Sequence, residues 1–243
     1  MINSFPPLCS SCDSKGCFIR QFVSSEWKEN IAAHKSVRFY AHGQKIFREG
    51  EPVLGIYFIY RGKVKVYNTG PEGRSQIVRL AGSGSVLGHR GFGENMLYPI
   101  SATALEDSMI CFIRQQDFLA ALEHNPTFTI NLMMFYAAEL RRAEYKLRAL
   151  SQMTVRQKLA DALLSVRDTY GTRRFKDRKA LAVQLTRQEY ADIVGSSIEE
   201  VIRTFSYFRK EGFIEMDGRS IVIIDEEALT DLIAGYRKVL MST

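Results

Sequence analysis

The sequence predicts an α+β fold in three consecutive parts: an antiparallel β-roll or barrel, one long helix, and a small C-terminal domain built on a winged helix-turn-helix. Three observations lead to this prediction. Short β-rich segments separated by glycines fill much of the first half of the chain. A stretch without glycine or proline follows, and two capped helical segments joined at a glycine lie near the C-terminus.

Composition narrows the class of protein. The chain has 243 residues, enough for two cores, and its 46% apolar and 25% charged residues are typical of globular proteins. No apolar run reaches the roughly 20 residues that span a bilayer, and the first residues lack the features of a signal peptide. We therefore expect a cytoplasmic protein whose four cysteines form no disulfides. The net charge of +6 favours polyanionic partners only weakly.

The β-rich part lies between a cysteine-containing N-terminal segment and the long helix. Residues rich in β-branched and aromatic side chains cluster at 56–60, 64–67, 76–80 and 109–113, with glycines between them. Short strands at regular spacing with glycine turns predict an antiparallel roll. The expected organisation is an N-terminal segment (1–30), a β-roll domain (31–124), a long helix (125–150) and a C-terminal domain (151–243).

The long helix is predicted to begin at Asn125-Pro126, since Asn is a favourable N-cap and Pro suits the first helical position. Its length of about 25 residues corresponds to about 37 Å. Six residues recur at alternating three- and four-residue steps, the spacing of a two-stranded coiled-coil seam. A helix packed against its own domain is the alternative. The seam consists of Ile130, Met133, Ala137, Leu140, Glu144 and Leu147.

The segment 185–205 has the pattern of a helix-turn-helix. Thr186 with Glu189 forms a capping box that starts the first helix, and Ser197 with Glu200 can form a second. Gly195 supplies the backbone freedom that the turn between the helices requires. In the second helix the apolar stripe is Ile198, Val201, Phe205 and Phe208, and the opposite polar stripe is Glu199, Arg203, Ser206 and Lys210.

An amphipathic helix after such a turn is typical of a recognition helix that enters the DNA major groove. Arg203 can donate two hydrogen bonds to guanine, and Glu199 can accept one from cytosine. An ion pair between these two residues is the alternative. The segment 213–223 predicts a hairpin, or wing, with its turn at Asp217-Gly218. The basic run Arg173, Arg174, Lys176, Arg178 and Lys179 either contacts phosphates or forms a solvated loop.

These patterns together resemble the Crp/Fnr superfamily of bacterial regulators over nearly the whole chain. The β-roll signature occurs at residues 50–52, 57–59, 62–66 and Gly88, and the long helix and winged helix-turn-helix follow in the family's order. The resemblance implies a cyclic-nucleotide-binding-like β-roll (a double-stranded β-helix), a dimerisation helix and a DNA-binding winged helix-turn-helix.

The resemblance also implies partners and site residues. The partners are a second copy of the chain, a palindromic double-stranded DNA operator and RNA polymerase. Glu199 and Arg203 match the family's DNA-reading Glu and Arg, whereas Ile202 replaces a Ser that is usual in the oxygen-sensing Fnr branch. We expect the DNA-binding residues to be Thr186, Arg187, Ser197, Glu199, Arg203, Ser206 and Arg219.

The resemblance argues against cyclic AMP as the signal. Members that bind cyclic nucleotides resemble Gly-Glu-Leu at one point of the β-roll and carry an Arg-Ser pair further on. Here His89 stands in place of the acid that holds the ribose, and Ile100 in place of the arginine that neutralises the phosphate. Because a charge-assisted contact to phosphate supplies much of the binding energy, we expect no cyclic AMP regulation.

Four cysteines form the candidate metal set: Cys9, Cys12, Cys17 and Cys111. Three clustered thiolates and a distant fourth can hold a 4Fe–4S cluster. The arrangement resembles the Fnr oxygen sensors, with a slightly shorter last interval in the N-terminal trio. A structural zinc ion and a thiol redox switch are alternatives, and Cys111 alone is compatible with a small core residue.

The leading functional hypothesis is a homodimeric DNA-binding regulator switched by oxygen, nitric oxide or redox state through an iron–sulfur cluster. A regulator of the same architecture that senses haem, nitric oxide or a small effector in the β-roll, without a cluster, is the alternative. An enzyme is disfavoured, because the sequence contains no Gly-rich phosphate loop, His-rich metal motif or convincing nucleophile–base set.

Overall fold

A computed structural model describes residues 8–14 and 16–236, which divide into two compact units. The first unit comprises the described residues up to Asn68 together with Ala81–Ala137. The second comprises Thr69–Leu80 and the described residues from Ala138 onward. The predicted fold class is confirmed: a β-roll is followed by a long helix and a winged helix-turn-helix.

The β-roll contains two four-stranded antiparallel sheets, with strand orders β1-β8-β3-β6 and β2-β7-β4-β5. All four segments predicted as strands lie inside observed strands. The sequence pattern missed β1, β2, β6 and β7, since runs of two to five residues are too short to show a clear alternation. The strands are β1 Ser36–Tyr40, β2 Lys45–Phe47, β3 Gly55–Arg61, β4 Lys63–Thr69, β5 Ser75–Gly82, β6 Val86–Leu87, β7 Ser101–Ala104 and β8 Ser108–Arg114.

Short helices cover one side of the first unit: α1 Phe18–Phe22, α2 Ser25–His34 and α3 Gln115–His124. They pack with β3 and with the start of the long helix into one apolar cluster. A 3₁₀ turn, His89–Gly91, follows β6. The sequence pattern predicted neither α2 nor α3. The cluster includes Ile19, Ile31, Ile56, Phe118 and Phe128.

The long helix, α4, spans Pro126–Gln152. Its start at proline agrees with the prediction, but the Asn125 side chain does not cap it. The Asn125 carboxamide oxygen accepts a hydrogen bond from the Ser24 N–H at 3.1 Å, and its nitrogen donates to the Ala121 carbonyl at 2.8 Å. Asn125 therefore ties the start of α2 to the end of α3.

The second unit contains the winged helix-turn-helix and a four-stranded sheet of order β11-β12-β10-β9. The basic run predicted as a loop forms the hairpin β9–β10. Asp217 pairs with Ser220, so the wing turn is Gly218-Arg219 and not Asp217-Gly218. The elements are α5 Val155–Tyr170, β9 Thr172–Phe175, β10 Arg178–Leu181, α6 Arg187–Val194, α7 Ile198–Lys210, β11 Ile214–Asp217, β12 Ser220–Ile223 and α8 Glu226–Asp231.

Over the described residues, no helix has the length and apolar character that crossing a membrane requires.

Candidate nucleic-acid interface and cysteine cluster

Local hydrogen bonds define both ends of α6. The Thr186 hydroxyl accepts from the Glu189 N–H at 3.1 Å, and the Glu189 carboxylate accepts from the Thr186 N–H at 2.8 Å, which completes the predicted capping box. Gly195 ends the helix with φ of 64° and ψ of 47°, a left-handed conformation that a side chain would strain. The predicted glycine turn between α6 and α7 is therefore present.

The start of α7 is only half a capping box. The Ser197 hydroxyl accepts from the Glu200 N–H at 3.2 Å, as expected. The Glu200 carboxylate, however, accepts a hydrogen bond from the Ser196 hydroxyl. One backbone donor of the helix start is thus satisfied, and the Ser197 hydroxyl proton stays available to an acceptor.

The surface of α7 separates cleanly into a buried and an exposed face. Val201, Phe205 and Phe208 are buried, while the predicted Ile198 is half-buried. Within the described chain, Glu199 and Arg203 form no ion pair with each other, so the ion-pair alternative for these residues is not observed. The exposed face carries Glu199, Ile202, Arg203, Ser206 and Lys210.

Two predicted DNA contacts have structural roles as well. The Thr186 hydroxyl is engaged in the capping box. The guanidinium of Arg187 lies 4.2 Å from the centre of the Phe205 ring and donates to the Met216 sulfur at 3.3 Å. Burial lowers the pKa of Arg187, which is half-buried. Their DNA contacts stay predictions.

The wing presents Arg219 at its exposed turn. Two cations of the basic hairpin are paired with wing carboxylates: Lys176 with Asp217 at 2.7 Å, and Arg178 with Glu215. The Arg178 guanidinium lowers the pKa of Glu215. These pairs tie β9–β10 to the wing, and they offset two of the charges that a phosphate contact would use.

The predicted seam of α4 is exposed in the single chain. Leu140 is 62% exposed and Leu147 is 70% exposed, whereas Phe128 and Leu132, on another face, are buried. The alternative, in which the seam packs against its own domain, is therefore not observed among the described residues. The exposed set comprises Ile130, Met133, Ala137, Leu140, Glu144 and Leu147.

All four cysteines lie in the first unit and are free thiols. Cys9 and Cys12 are buried, and Cys17, which precedes α1, is half-buried. Cys111 lies in β8, opposite Val37 of β1 and Phe58 of β3. Three of the thiols, those of Cys9, Cys17 and Cys111, pack on the same apolar cluster. The fold thus brings the distant strand cysteine to the N-terminal trio.

The pKa values of these thiols reflect burial and mutual proximity. Burial raises the pKa of Cys111 to about 12, Lys35 acts against this rise, and the other three thiols add to it. Burial likewise raises the pKa of Cys17, against the effect of the neighbouring Arg20 and Ile19 backbone N–H groups. The ammonium of Lys35 donates to the Cys9 sulfur at 3.3 Å.

The four cysteines match an iron–sulfur cluster in number and chemical type, since four cysteine thiolates are its usual ligands. Within residues 8–14 and 16–236, no group of three or more His, Cys, Asp or Glu side chains has the geometry to hold a metal ion. Binding of iron would require the thiols to lose their protons.

Contacts made by residues between Cys12 and Cys17, and by the residue directly after Cys17, hold the N-terminal segment on the roll. Asp13 forms an ion pair with Arg61 at 3.1 Å. Gly16 meets Gly84 so closely that a Cβ on Gly84 would lie 2.8 Å from the Gly16 backbone. Phe18, directly after Cys17, contacts Phe128 and Phe135 of α4, each with ring centres 5.7 Å apart.

The region that corresponds to the nucleotide cassette is aromatic and closely packed. The His89 ring is 2% exposed, and its centre lies 5.0 Å from Phe135 and 5.6 Å from Tyr136. The Tyr136 hydroxyl donates to the His89 carbonyl at 2.6 Å, and Ile100 is buried. Neither His89 nor Ile100 offers the acid or the guanidinium of a cyclic-nucleotide site.

Two family matches cover most of the chain. Residues 37–125 match the cyclic nucleotide-binding domain family, and residues 157–232 match the Crp-like helix-turn-helix domain family. The chain belongs to the Crp/Fnr family of DNA-binding transcriptional regulators. This membership agrees with the winged helix-turn-helix and the β-roll of the two units.

Curated relatives of this Crp/Fnr chain differ in their signals. The CRP-like cAMP-activated global transcriptional regulator of Mycobacterium tuberculosis is 29% identical over 192 residues, 78% of this chain and 84% of the relative. The fumarate and nitrate reduction regulatory protein of Escherichia coli is 25% identical over 197 residues, 81% of this chain and 78% of the relative. Family membership therefore does not identify the signal.

Solved structures agree on the fold of the Crp/Fnr chain. FixK2 from Bradyrhizobium japonicum has a TM-score of 0.71 and 24% identity, over 82% of this chain and 96% of that one. The transcriptional regulator TTHB099 from Thermus thermophilus has a TM-score of 0.69 and 24% identity, over 81% and 96%. At these identities the likeness extends to the fold alone.

Sequence reasoning missed Lys35 as a neighbour of the cysteines. Lys35 lies 26 residues from Cys9 and follows the end of α2, a helix that the pattern did not predict. A lone lysine between polar residues carries no signal of such a contact, because only the packing of α2 against the N-terminal segment creates it.

Proposed function

We propose that this Crp/Fnr regulator binds a palindromic DNA operator as a homodimer and reads bases with Glu199 and Arg203 of α7. The exposed polar face of α7 is the observation that carries the proposal. Both side chains are exposed and one turn apart, on a helix whose opposite face is buried. An arginine and a glutamate at this spacing match guanine and cytosine edges in the major groove.

Contacts around these two residues would orient the helix on the DNA. Ser197, Ser206 and Arg219 are exposed near the start of α7, along its face and at the wing turn, where hydroxyl and guanidinium groups can donate to phosphates. Thr186 and Arg187, at the start of α6, are the remaining proposed DNA-binding residues. Their side-chain donors already make contacts within the protein, so their role would be to position the start of α6 at the DNA. RNA polymerase is the proposed protein partner of the bound dimer.

The exposed seam of α4 supports dimerisation. Apolar side chains at coiled-coil spacing, such as Met133, Leu140 and Leu147, would leave water when a second copy packs against them. A two-fold dimer presents two recognition helices to successive major grooves, about 34 Å apart. Glu144 lies within the seam and would weaken the pairing.

Selection from a pool of random DNA duplexes tests DNA reading directly. The full chain is expected to enrich a palindrome whose half-sites are about one helical turn apart. Enrichment of no sequence, or of single unrepeated half-sites by a monomer, would contradict the proposal.

We further propose that oxygen, nitric oxide or redox state is the signal, received by a 4Fe–4S cluster on Cys9, Cys12, Cys17 and Cys111. Packing of Cys9, Cys17 and Cys111 on one apolar cluster supports this ligand set. The aromatic packing of His89 and the burial of Ile100 support a regulator that does not use cyclic AMP.

When bound, such a cluster supplies sensitivity to oxygen and nitric oxide. The chain's own residues would hold the N-terminal segment against the roll, through the Asp13–Arg61 pair and the Gly16–Gly84 contact. Phe18, next to Cys17, would connect the state of this segment to α4 through Phe128 and Phe135. We propose that the state of the cluster changes the equilibrium between monomer and dimer.

Iron and sulfide analysis of protein purified without oxygen tests the ligand set. The protein is expected to be brown, with iron and sulfide each near about four per chain. Cys111→Ser is expected to lose both while α7 still binds DNA weakly. Stoichiometric zinc, or colourless protein that binds its operator fully, would contradict the cluster.

A further inference from the structure

The carboxyl end of α6 is held by two side chains from outside the helix-turn-helix. The amide nitrogen of Gln76, near the start of β5, donates to the carbonyl oxygens of Asp192 and Ile193 at 2.5 and 3.3 Å. The ammonium of Lys146, on α4, donates to the Ile193 carbonyl at 2.8 Å. Gln76 and Lys146 belong to the same compact unit as the helix-turn-helix.

These contacts satisfy a general need of helix ends. The last carbonyls of an α-helix lack intrahelical donors and carry partial negative charge. In α6 the Ala191 carbonyl accepts from the Gly195 N–H at 2.8 Å, whereas the next two carbonyls accept from Gln76 and Lys146. A cation is the favourable donor at this end of a helix dipole.

The surroundings of Lys146 hold its ammonium group in place. Burial lowers the pKa of Lys146, and the carboxylate of Asp161 on α5 acts in the opposite direction. The Tyr145 hydroxyl donates to the Asp161 carboxylate at 2.9 Å, which fixes the position of that charge. Lys146 therefore links α4, α5 and the end of α6 at one point.

Steric contact reinforces these hydrogen bonds at the turn. A Cβ built on Gly195 would approach Leu150 Cδ2 to 3.0 Å and Gln76 Oε1 to 3.1 Å, so α4 and β5 pack against the turn itself. Lys146 and Leu150 are four residues apart and lie on one face of α4. The exposed seam residues Glu144 and Leu147 lie on a neighbouring face.

We propose that Lys146 and Gln76 are positioning residues for DNA recognition, which hold α6, the turn and α7 in one orientation on the dimerisation helix. This inference rests on the proposed reading of DNA by α7. A dimer binds a palindrome only when both recognition helices have the right orientation. If α6 is released from α4, only a fraction of dimers meets this condition, and the apparent affinity falls by that fraction.

The test measures DNA binding by full-length Lys146→Met, Gln76→Ala and the double variant, on the duplex that the unsubstituted protein selects from a random pool. Each single substitution is expected to weaken binding about tenfold. The double variant is expected to lose little more, because both side chains act on one helix end. The slope of log affinity against log salt is expected to stay unchanged, since neither residue contacts a phosphate.

Two further variants serve as controls, one for the loss of a positive charge from α4 and one for the loss of the hydrogen-bond donor at position 146. Arg141→Met removes a cation from an exposed position of α4 and is expected to bind within about twofold of the unsubstituted protein. Lys146→Arg keeps a charged donor and is expected to restore most of the affinity. Sedimentation and thermal unfolding check the dimer and the fold of each variant. Gln76→Ala leaves α4 intact, so it tests the proposal even if Lys146→Met unfolds.

Unchanged affinity in both single variants would overturn the proposal. A salt slope reduced by about one in Lys146→Met would also overturn it, because that result identifies a phosphate contact. A loss of DNA affinity that is explained entirely by a smaller fraction of dimer would also overturn the proposal. Arg203→Ala distinguishes failure of the positioning proposal from failure of the proposed DNA recognition by α7. If this substitution changes neither affinity nor base preference, the proposal that α7 reads DNA is wrong. If it relaxes base preference while the positioning variants bind normally, only the positioning role is wrong.

Discussion

The guanidinium of Arg187 lies over the ring of Phe205, 4.2 Å from its centre. This contact joins the first turn of α6 to the buried face of α7, and the bond from Arg187 to the Met216 sulfur extends it to the wing. A residue that sequence reasoning assigned to DNA therefore also holds the three elements of the winged helix-turn-helix together.

Arg187→Gln is expected to lower the unfolding free energy of the protein by about 1 kcal/mol, because a partly desolvated cation–π contact is lost. Chemical denaturation measures this change. Arg156→Gln is the matched control: its guanidinium lies 3.8 Å from the Tyr207 ring, also on α7, but Arg156 is exposed. Equal losses of unfolding free energy in the two variants would show that the burial of Arg187 does not strengthen its contact with Phe205.

Tyr190, edge-on to the same Phe205 ring, has a buried hydroxyl without a hydrogen-bond partner in the described part of the chain. Tyr190→Phe is expected to be neutral or to stabilise the fold by up to about 1 kcal/mol, since the substitution removes a desolvated polar group.

The same tyrosine predicts a pH dependence. Burial raises the pKa of Tyr190 above its ordinary value of 10.0, so the folded state favours the neutral phenol. Its contribution to stability is complete below the unfolded pKa and is lost as the pH rises beyond it. Denaturation from pH 8 to about 11 should therefore show a steeper decline for the natural protein than for Tyr190→Phe. Parallel declines would contradict the assignment.

Arg203→Ala is expected to cost about 1–3 kcal/mol of DNA-binding free energy and to relax preference at one G·C position. Anisotropy titrations on the selected operator and on its single-base variants measure both effects. Lys210→Ala, on the same exposed face but near the end of α7, is the control and should alter affinity without altering base preference. Unchanged preference in Arg203→Ala would remove its assigned role.

Ile202, 45% exposed between the two reading residues, is expected to influence base choice through an apolar contact with a thymine methyl group. Ile202→Ser should therefore reduce selection for thymine at one position per half-site, with little change in thermal stability. Sequencing of the duplexes selected by each protein measures the difference. Identical selected sequences would show that this side chain takes no part in readout.

Leu140→Glu is expected to weaken dimerisation at least about tenfold, because it places a charge in the apolar seam of α4. Sedimentation velocity over a concentration series measures the equilibrium. Leu54→Glu is the control, since Leu54 is 67% exposed and lies outside α4. A dimer that survives Leu140→Glu unchanged would place the interface on another surface.

Local patterns predicted the parts of the fold that local forces determine. The Thr186–Glu189 capping box, the left-handed Gly195 and the two-faced α7 involve residues within about four positions of each other, so adjacent sequence suffices to identify them. The strands β3, β4, β5 and β8 were predicted for the same reason. The strands β1, β2, β6 and β7 and helices with weak patterns, such as α2, were not predicted.

The resemblance to the Fnr oxygen sensors groups Cys111 with the N-terminal trio, whereas residue patterns alone leave zinc, a thiol switch and a core residue open. The tertiary structure packs Cys111 on the same apolar cluster as Cys9 and Cys17 and adds Lys35 beside Cys9. It also pairs two cations of the basic run with wing carboxylates, which a linear reading of charge cannot anticipate.

The sequence by itself determined the order of the elements, the helix-turn-helix and the residues that face outward on α7, because hydrophobic period, caps and glycine turns act within a few residues. Only the tertiary structure decided which side chains hold those elements in place. Lys146 and Gln76 reach the end of α6 from positions 47 and 116 or 117 residues away, and Asn125 serves α2 and α3 instead of capping α4. Hydrogen bonds of this kind depend on where chain folding places donors and acceptors, and no local pattern encodes that placement.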